Sequence, residues 1–232
     1  MIVKKLSVIM PVYNEEETIN RAIKGVLKAR LPNIRKEIIV INDGSKDKSI
    51  ENIKRVKDKR IKLISRKINK GKGASIKEGL SRASGDVIII QDADMEYNPK
   101  EYLKLLEPIQ NDLADVVYGS RFTGSGPHRV LFFWHMLGNK FLTLLSNILT
   151  NLNLTDMETC YKMFTADVAK KLKLKEERFG FEPEFTVKIA RMHARVYEVG
   201  ISYSGRSYTE GKKINWKDGM RAVYCLIKYS VF

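Results

Sequence analysis

The sequence predicts an α/β fold, a mostly parallel sheet flanked by helices, and three features predict it. Strand-like and helix-like patterns alternate from Leu6 to Tyr118, the rhythm of a sheet built from βαβ units. The strand patterns are apolar nearly throughout, as in Val87-Ile88-Ile89-Ile90, which marks strands covered on both faces. Four polar loops follow directly after strands, at the edge where open α/β sheets hold their ligands.

The elements follow in order. Leu6 to Met10 is the first strand. Glu15 to Ala29 carries apolar residues at Ile19, Ala22, Ile23, Val26 and Leu27, the spacing of one helix face. Glu37 to Ile41 is the second strand, and Lys48 to Val56 is a helix for which Asp47 or Ser45 is the cap. Ile61 to Ile64 is the third strand, Gly73 to Ala83 a helix, and Asp86 to Gln91 the fourth strand. Pro99 opens a further helix from a first-turn position, and Asp115 to Tyr118 is another strand.

The second half reads differently. From Val130 to Leu149, apolar residues recur at Val130, Trp134, Leu137, Phe141, Leu144, Leu145 and Ile148, an amphipathic helical period. His135, Asn139, Lys140, Thr143, Ser146 and Asn147 make it too polar for a membrane span. Trp216 to Val231 repeats the pattern with Met220, Val223, Ile227 and Val231 on one side. Apolar faces with Trp and flanking cations suit a membrane interface; the first helix equally suits a homodimer.

The 232 residues are enough for one domain with a sizeable core. Cys160 and Cys225 form neither a disulfide framework nor a metal-ligand spacing, which points to a reducing compartment. Met1 to Lys5 runs straight into a strand, with no secretory leader pattern. A net charge of +15 favours phosphate-rich ligands, anionic lipid or nucleic acid. Lys46 to Lys77 alone holds thirteen basic residues. No nucleic-acid-binding signature accompanies them, and no nucleic-acid partner is expected.

The four loops carry the chemistry. Pro11-Val12-Tyr13-Asn14-Glu15 follows the first strand, Asn42-Asp43-Gly44-Ser45 the second, Lys70-Gly71-Lys72-Gly73-Ala74 the third and Asp92-Ala93-Asp94 the fourth. Tyr13 can pack on a base, and Asp43 can accept from a base N–H. Gly71 and Gly73 let backbone approach a ligand, and the helix that follows favours an anion at its N-terminus. Asp92 and Asp94 are hard oxygen ligands for a divalent cation bridging to phosphate. Alone, each loop is an ordinary turn; in this order at one edge they form a candidate nucleotide site.

With Gly119-Ser120-Arg121 added, this series resembles the inverting family 2 glycosyltransferases of the GT-A (Rossmann-like) fold. Within them it resembles the polyprenyl- and dolichyl-phosphate sugar synthases. The resemblance implies that residues 1–121 are the nucleotide-sugar half of a single domain, and residues 122–232 the acceptor and membrane-interface half. Pro11, Tyr13, Asn14, Glu15, Asp43, Lys72, Gly73, Asp92, Ala93 and Asp94 would hold the sugar nucleotide. Asp92, Asp94 and, as a third ligand, Glu96 would hold Mg²⁺ or Mn²⁺. Arg121, Arg129, Arg206, Lys212 and Lys213 would face the acceptor and diphosphate, the last two from a loop that closes over it. Asp94, Asp156 and Arg121 would be the catalytic residues.

Asp156 lies in Leu154 to Lys162, similar to the family's D-x-x-x-G-[FY]-K segment, with Cys160 where Gly is common. It is the base candidate, although a lipid monophosphate with a second pKa of about 6 attacks without losing a proton. Asp156 would then position arginines or sugar. The implied enzyme transfers a sugar, first of all glucose from UDP-glucose, to a polyprenyl or dolichyl phosphate. It would sit peripherally on the anionic, cytoplasmic membrane face. The alternatives are a GDP-mannose donor, a soluble glycosyltransferase acting on a glycan or protein hydroxyl, and a non-catalytic binder on the same fold. A polymerase's Gln-x-x-Arg-Trp motif is absent.

Overall fold

The structure, a computed structural model, describes residues 1–124, 129–130, 132–207 and 216–231. The first half alternates as expected: β1 (Lys5–Val12), α1 (Ile19–Lys28), β2 (Arg35–Asp43), α2 (Ser49–Arg55), β3 (Ile61–Arg66), α3 (Lys72–Arg82), β4 (Val87–Ile90), α4 (Tyr102–Gln110) and β5 (Val116–Ser120). A 3-10 turn at Pro99–Glu101 leads into α4, and the Asn98 side chain caps it by accepting from the Lys100 amide. The second half adds α5 (Phe133–Thr150), β6 (Lys162–Thr165), α6 (Ala166–Lys171), α7 (Phe181–Arg191), β7 (Val196–Gly200) and α8 (Trp216–Val231).

All seven strands join one sheet in the order β3-β2-β1-β4-β6-β5-β7. β3, β2, β1 and β4 run parallel, and β5 runs parallel to β7. β6 is antiparallel to both its neighbours. That reversal matters for the site. The approach to an antiparallel strand lies at the same edge as the carboxyl ends of the parallel ones, so the segment before Lys162 joins the loops after β1, β2 and β4.

Strand alternation sends successive side chains to opposite faces. Val8, Met10, Ile38, Val40, Val87 and Ile89 pack with α1 and α4 residues such as Ile23, Val26, Leu105 and Leu106. Ile9, Ile39, Ile41, Ile88 and Ile90 pack on the other face with Ile76, Phe181, Phe185 and Leu226 from α3, α7 and α8. Both faces are covered, which is why these strands are apolar almost without interruption.

Two local expectations are corrected. α1 begins at Ile19, because Glu15 to Thr18 form a turn whose Glu15 carbonyl accepts from the Thr18 and Ile19 amides. Ser45 does not cap α2; its hydroxyl accepts from the Asn14 amide, and Asp47 accepts from the Ser49 amide instead.

α5 turns its apolar stripe outward, as an interface helix would, and buries polar residues. Thr143 and Ser146 are its buried residues, while Trp134, Phe141, Leu144 and Ile148 are 58–76% exposed. Thr143 faces inward because its hydroxyl accepts from the Met157 amide, and Asn147 bonds both the amide and carbonyl of Leu154. The helix is thus fastened by its polar residues to the segment preceding β6. α8 packs against α5 and α7 through Ala222, Cys225, Leu226 and Tyr229. Its own Trp216, Met220, Tyr224, Ile227 and Val231 stay exposed. Among the described residues no helix is long and apolar enough to cross a membrane.

Candidate active site

A cleft of about 400 Å³ opens at the carboxyl edge of the sheet, within the usual size of small-ligand sites. The ends of the four expected strands and the loops after them reach it: Pro11 at the end of β1 with Tyr13 and Glu15 beyond it, Asp43 as the last residue of β2, Gly71 and Lys72 after β3, and Asp92, Ala93, Asp94 and Glu96 after β4. Arg121, Glu158, Cys160 and Arg206 also line it.

The β1–β2 end of the cleft is stiffened by Asp43. Its carboxylate accepts from the Lys70 and Gly71 amides at 3.0 and 2.7 Å and from Arg66 at 3.2 Å. Gly71 has φ of +101°, a left-handed conformation only glycine adopts cheaply. Gly73 has a different use from the one expected. A Cβ there would collide with the Glu176 carbonyl, so this glycine lets α3 abut the 176–178 backbone rather than a ligand. Asn14 does not line the cleft either. Its side chain accepts from the Lys46 amide and its own amide donates to Ser45, joining the loops after β1 and β2.

The two central aspartates each hold an internal cation. Lys72 reaches Asp92 at 2.9 Å and also contacts the Cys160 sulfur at 2.7 Å and Glu182 at 3.4 Å. Arg206 reaches Asp94 at 3.3 Å while its two terminal nitrogens hold Glu15 at 3.1 and 3.2 Å. Glu96, the expected third ligand, lies beside Asp94 and is tied to the 203–206 segment. Its oxygens accept from the Tyr203 hydroxyl and the Arg206 amide at 2.8 and 2.7 Å. Among the described residues no three His, Cys, Asp or Glu side chains group to hold a metal ion.

The donor chemistry at Asp92 and Asp94 nevertheless fits a hard divalent cation. Burial, then repulsion from Asp92 and Glu96, pushes the Asp94 carboxyl up to about 7. Glu15, Asp92, Asp94 and Glu96 outnumber the two cations threaded among them. Crowded carboxylates of this kind are relieved by positive charge.

Asp156 and Arg121 form one unit. Asp156 is wholly buried, and its oxygens accept from Nε and a terminal nitrogen of Arg121, both at 2.7 Å, and from the Arg121 amide at 3.0 Å. Such a fork fixes the guanidinium in both position and plane. It also occupies the carboxylate that the sequence nominates as a base. The Glu198 carboxylate accepts from the Thr155 and Asp156 amides and fixes the loop from beneath.

Cys160 does not have a positive φ, so a side chain is tolerated where the resembling family commonly has Gly. Arg129 lies outside the cleft lining and donates to the Gly205 carbonyl, next to Arg206. Lys212 and Lys213 lie outside the described residues. Sequence reasoning gave no role to Glu158 or Glu182. The first signal was available: Glu158 stands inside the segment already singled out.

Comparison with known proteins gives the family and the fold. The family model described as "Glycosyl transferase family 2" matches residues 7–173. A dolichol-phosphate mannosyltransferase of Pyrococcus furiosus is 30% identical over 97% of this chain, which spans 64% of that protein's length. A dolichyl-phosphate beta-glucosyltransferase of Trichomonas vaginalis is 27% identical over 98% of this chain and 73% of its own. Among solved structures, glucosyl-3-phosphoglycerate synthase from Mycobacterium tuberculosis, crystallised with Mn²⁺ and UDP, superposes with a TM-score of 0.77. It is 17% identical, and the match covers 98% of this chain and 80% of that one. That likeness gives the fold, GT-A.

Proposed function

This chain belongs to glycosyl transferase family 2, and from that premise we propose that it transfers a hexosyl group from a nucleoside diphosphate to a polyprenyl phosphate, with inversion at the anomeric carbon. The observation that carries the proposal is the single cleft joining Tyr13, Asp43, Asp92, Asp94, Arg121 and Arg206. Base, diphosphate and acceptor phosphate each find a suitable partner there.

Tyr13 and Pro11 flank the base, and the loop held by Asp43 shapes that end of the cleft. Asp92 and Asp94 would hold Mg²⁺ or Mn²⁺, which when bound screens the charge that builds on the leaving diphosphate. Arg121, held in plane by Asp156, grips a phosphate bidentately. A lipid phosphate is already largely ionised, its second pKa being about 6. It attacks the anomeric carbon without a base, which agrees with an Asp156 committed to Arg121.

The exposed apolar stripes of α5 and α8, with the net charge of +15, suit a peripheral position on an anionic membrane. The donor is first of all UDP-glucose. GDP-mannose belongs beside it in any assay, since the two relatives' names carry different sugars.

The test is transfer from radiolabelled UDP- and GDP-sugars to a short polyprenyl phosphate with Mg²⁺ or Mn²⁺. A lipid-soluble product from one donor, lost in Asp94→Ala, is expected. Metal-dependent binding of the same nucleotides without lipid product would overturn the acceptor and leave the donor site standing.

A further inference from the structure

The segment between α5 and β6 is held at almost every residue. The Thr155 and Asp156 amides donate to Glu198. The Asp156 side chain is forked with Arg121. The Met157 amide donates to Thr143, and the buried Lys162 ammonium donates to the carbonyls of Met157 and Thr159. The Thr159 hydroxyl donates to the Gly119 carbonyl at 2.7 Å, and the Cys160 amide to the Tyr97 hydroxyl at 3.2 Å.

Glu158, in the middle of this arrangement, lines the cleft, and its Oε1 is buried without a hydrogen-bond partner. A buried acceptor without a partner carries a desolvation penalty, and a hydroxyl of a ligand in the cleft would relieve it. Its surroundings also favour an uncharged acid. Burial, then Glu182, pushes the carboxyl up to about 8, against the pull of Lys162 and Arg121. A carboxyl of that kind both donates and accepts.

Sheet order says what Glu158 faces. Across the carboxyl edge the neighbours run β2, β1, β4, β6, bringing Asp43, then Tyr13, then Asp92 and Asp94, then the Glu158–Cys160 segment. Lys72 links the last two, touching both Asp92 and Cys160. In a sugar nucleotide the order is base, diphosphate, sugar. With the base at the β1–β2 end and the diphosphate at the β4 aspartates, the group beyond is the sugar.

Resting on the nucleotide-sugar reading above, we infer that Glu158 hydrogen-bonds a hydroxyl of the donor's sugar ring and so selects the sugar that enters the cleft. The acid provides an acceptor at Oε1 and, when protonated, a donor. A sugar presenting hydrogen in place of that hydroxyl leaves the buried oxygen unpaired and is disfavoured.

The experiment is calorimetric titration of the intact protein with Mn²⁺ and four probes: UDP, UDP-glucose, GDP and GDP-mannose. It compares wild type, Glu158→Ala and Glu158→Gln. Glu158→Ala is expected to weaken the preferred sugar nucleotide by about 10- to 100-fold and to leave the matching free diphosphate unchanged. Glu158→Gln, which keeps an acceptor and a donor, retains most of the affinity.

Equal affinities of wild type and Glu158→Ala for the sugar nucleotide would overturn the inference. So would equal losses for sugar nucleotide and free diphosphate, or lost transfer with binding intact, which would move Glu158 to the chemistry. Should Glu158→Ala fail to fold, Glu158→Gln with ring-deoxy analogues of the preferred donor decides. One analogue must bind wild type at least about ten-fold more weakly than the parent, and a series without one overturns the inference. Wild type binding none of the four probes would overturn the nucleotide-sugar reading itself, a result distinct from all of these.

Discussion

α1 and α5 are both amphipathic helices, yet they point opposite faces at the protein. α1 buries Ile19, Ala22, Ile23 and Val26 beneath the sheet. α5 buries Thr143 and Ser146 and leaves Trp134, Phe141, Leu144 and Ile148 outside. The difference lies in what each helix docks against. α1 meets an apolar sheet face, whereas α5 packs only Leu142 and Leu145 toward the core and is fastened by Thr143 and Asn147 to the backbone before β6, whose amide and carbonyl groups need polar partners. One region of the molecule closes on itself around an apolar core. The other presents an apolar surface outward, which a soluble monomer rarely does on this scale.

Separate perturbations of the two regions sharpen the contrast. The largest effect is expected at the aspartates. Asp94→Ala should reduce transfer by about a thousand-fold or more, the several kcal/mol a metal-bound leaving group is worth. Vesicle binding, measured by co-sedimentation, should stay the same. Loss of both would mean that the two regions are not independent.

The Arg121–Asp156 unit comes next. Asp156→Ala should lower unfolding free energy by about 3–5 kcal/mol, because it strands a largely buried guanidinium. The double variant with Arg121→Ala should lose less than the sum of the singles in a denaturation cycle.

The helices themselves provide the third comparison. Ile23→Ala in α1 should cost about 2–5 kcal/mol of stability. Changing Trp134, Phe141 and Ile148 together to Ser should cost little, within about 0.5 kcal/mol per site, yet weaken binding to anionic vesicles about ten-fold or more. Destabilisation by the α5 triple variant matching that of Ile23→Ala would mean that another surface covers this face in solution.

The smallest effect concerns acid. Glu37 is buried beside β1, and burial alone would raise its pKa. Hydrogen bonds from Lys62, Ser7, the Ser84 amide and Lys5 outweigh this and hold it well below its ordinary 4.5. A carboxylate with a depressed folded pKa stabilises fully above the unfolded value. That contribution is lost as pH falls below about 4.5. Glu37→Gln should flatten the stability–pH curve below pH 4.5, as read by urea midpoints, with little change in its slope near neutrality.

The first half was legible because its strands pair with parallel neighbours and alternate with helices whose apolar face turns inward. Its four ligand loops were legible because strand ends define the edge. β6 and β7 escaped for physical reasons. β6 is four residues long, and its partners are β4 and β5, far earlier in the chain. α7 escaped because its buried face includes Glu182 and Glu184, and Glu184 is satisfied by the Lys175 and Glu176 amides and by Lys188. The apolar period of α5 was visible, and Trp with flanking cations pointed its face outward; the polar fastening by Thr143 and Asn147 that holds it so was not visible. Periodicity locates a stripe, and only the docking partner decides whether it is inside. At the site, residue types indicated Asp92 and Asp94 as ligands, but not that Lys72 and Arg206 hold them from within.

The central claim is that the acceptor is a phosphate on a lipid. The most direct measurement compares transfer from the working donor to a polyprenyl phosphate and to the matching polyprenol, with the same tail and vesicles. Product from the phosphate alone is the predicted result. Comparable product from the alcohol would contradict the account, since that reaction needs a base and would put the acceptor chemistry on a hydroxyl.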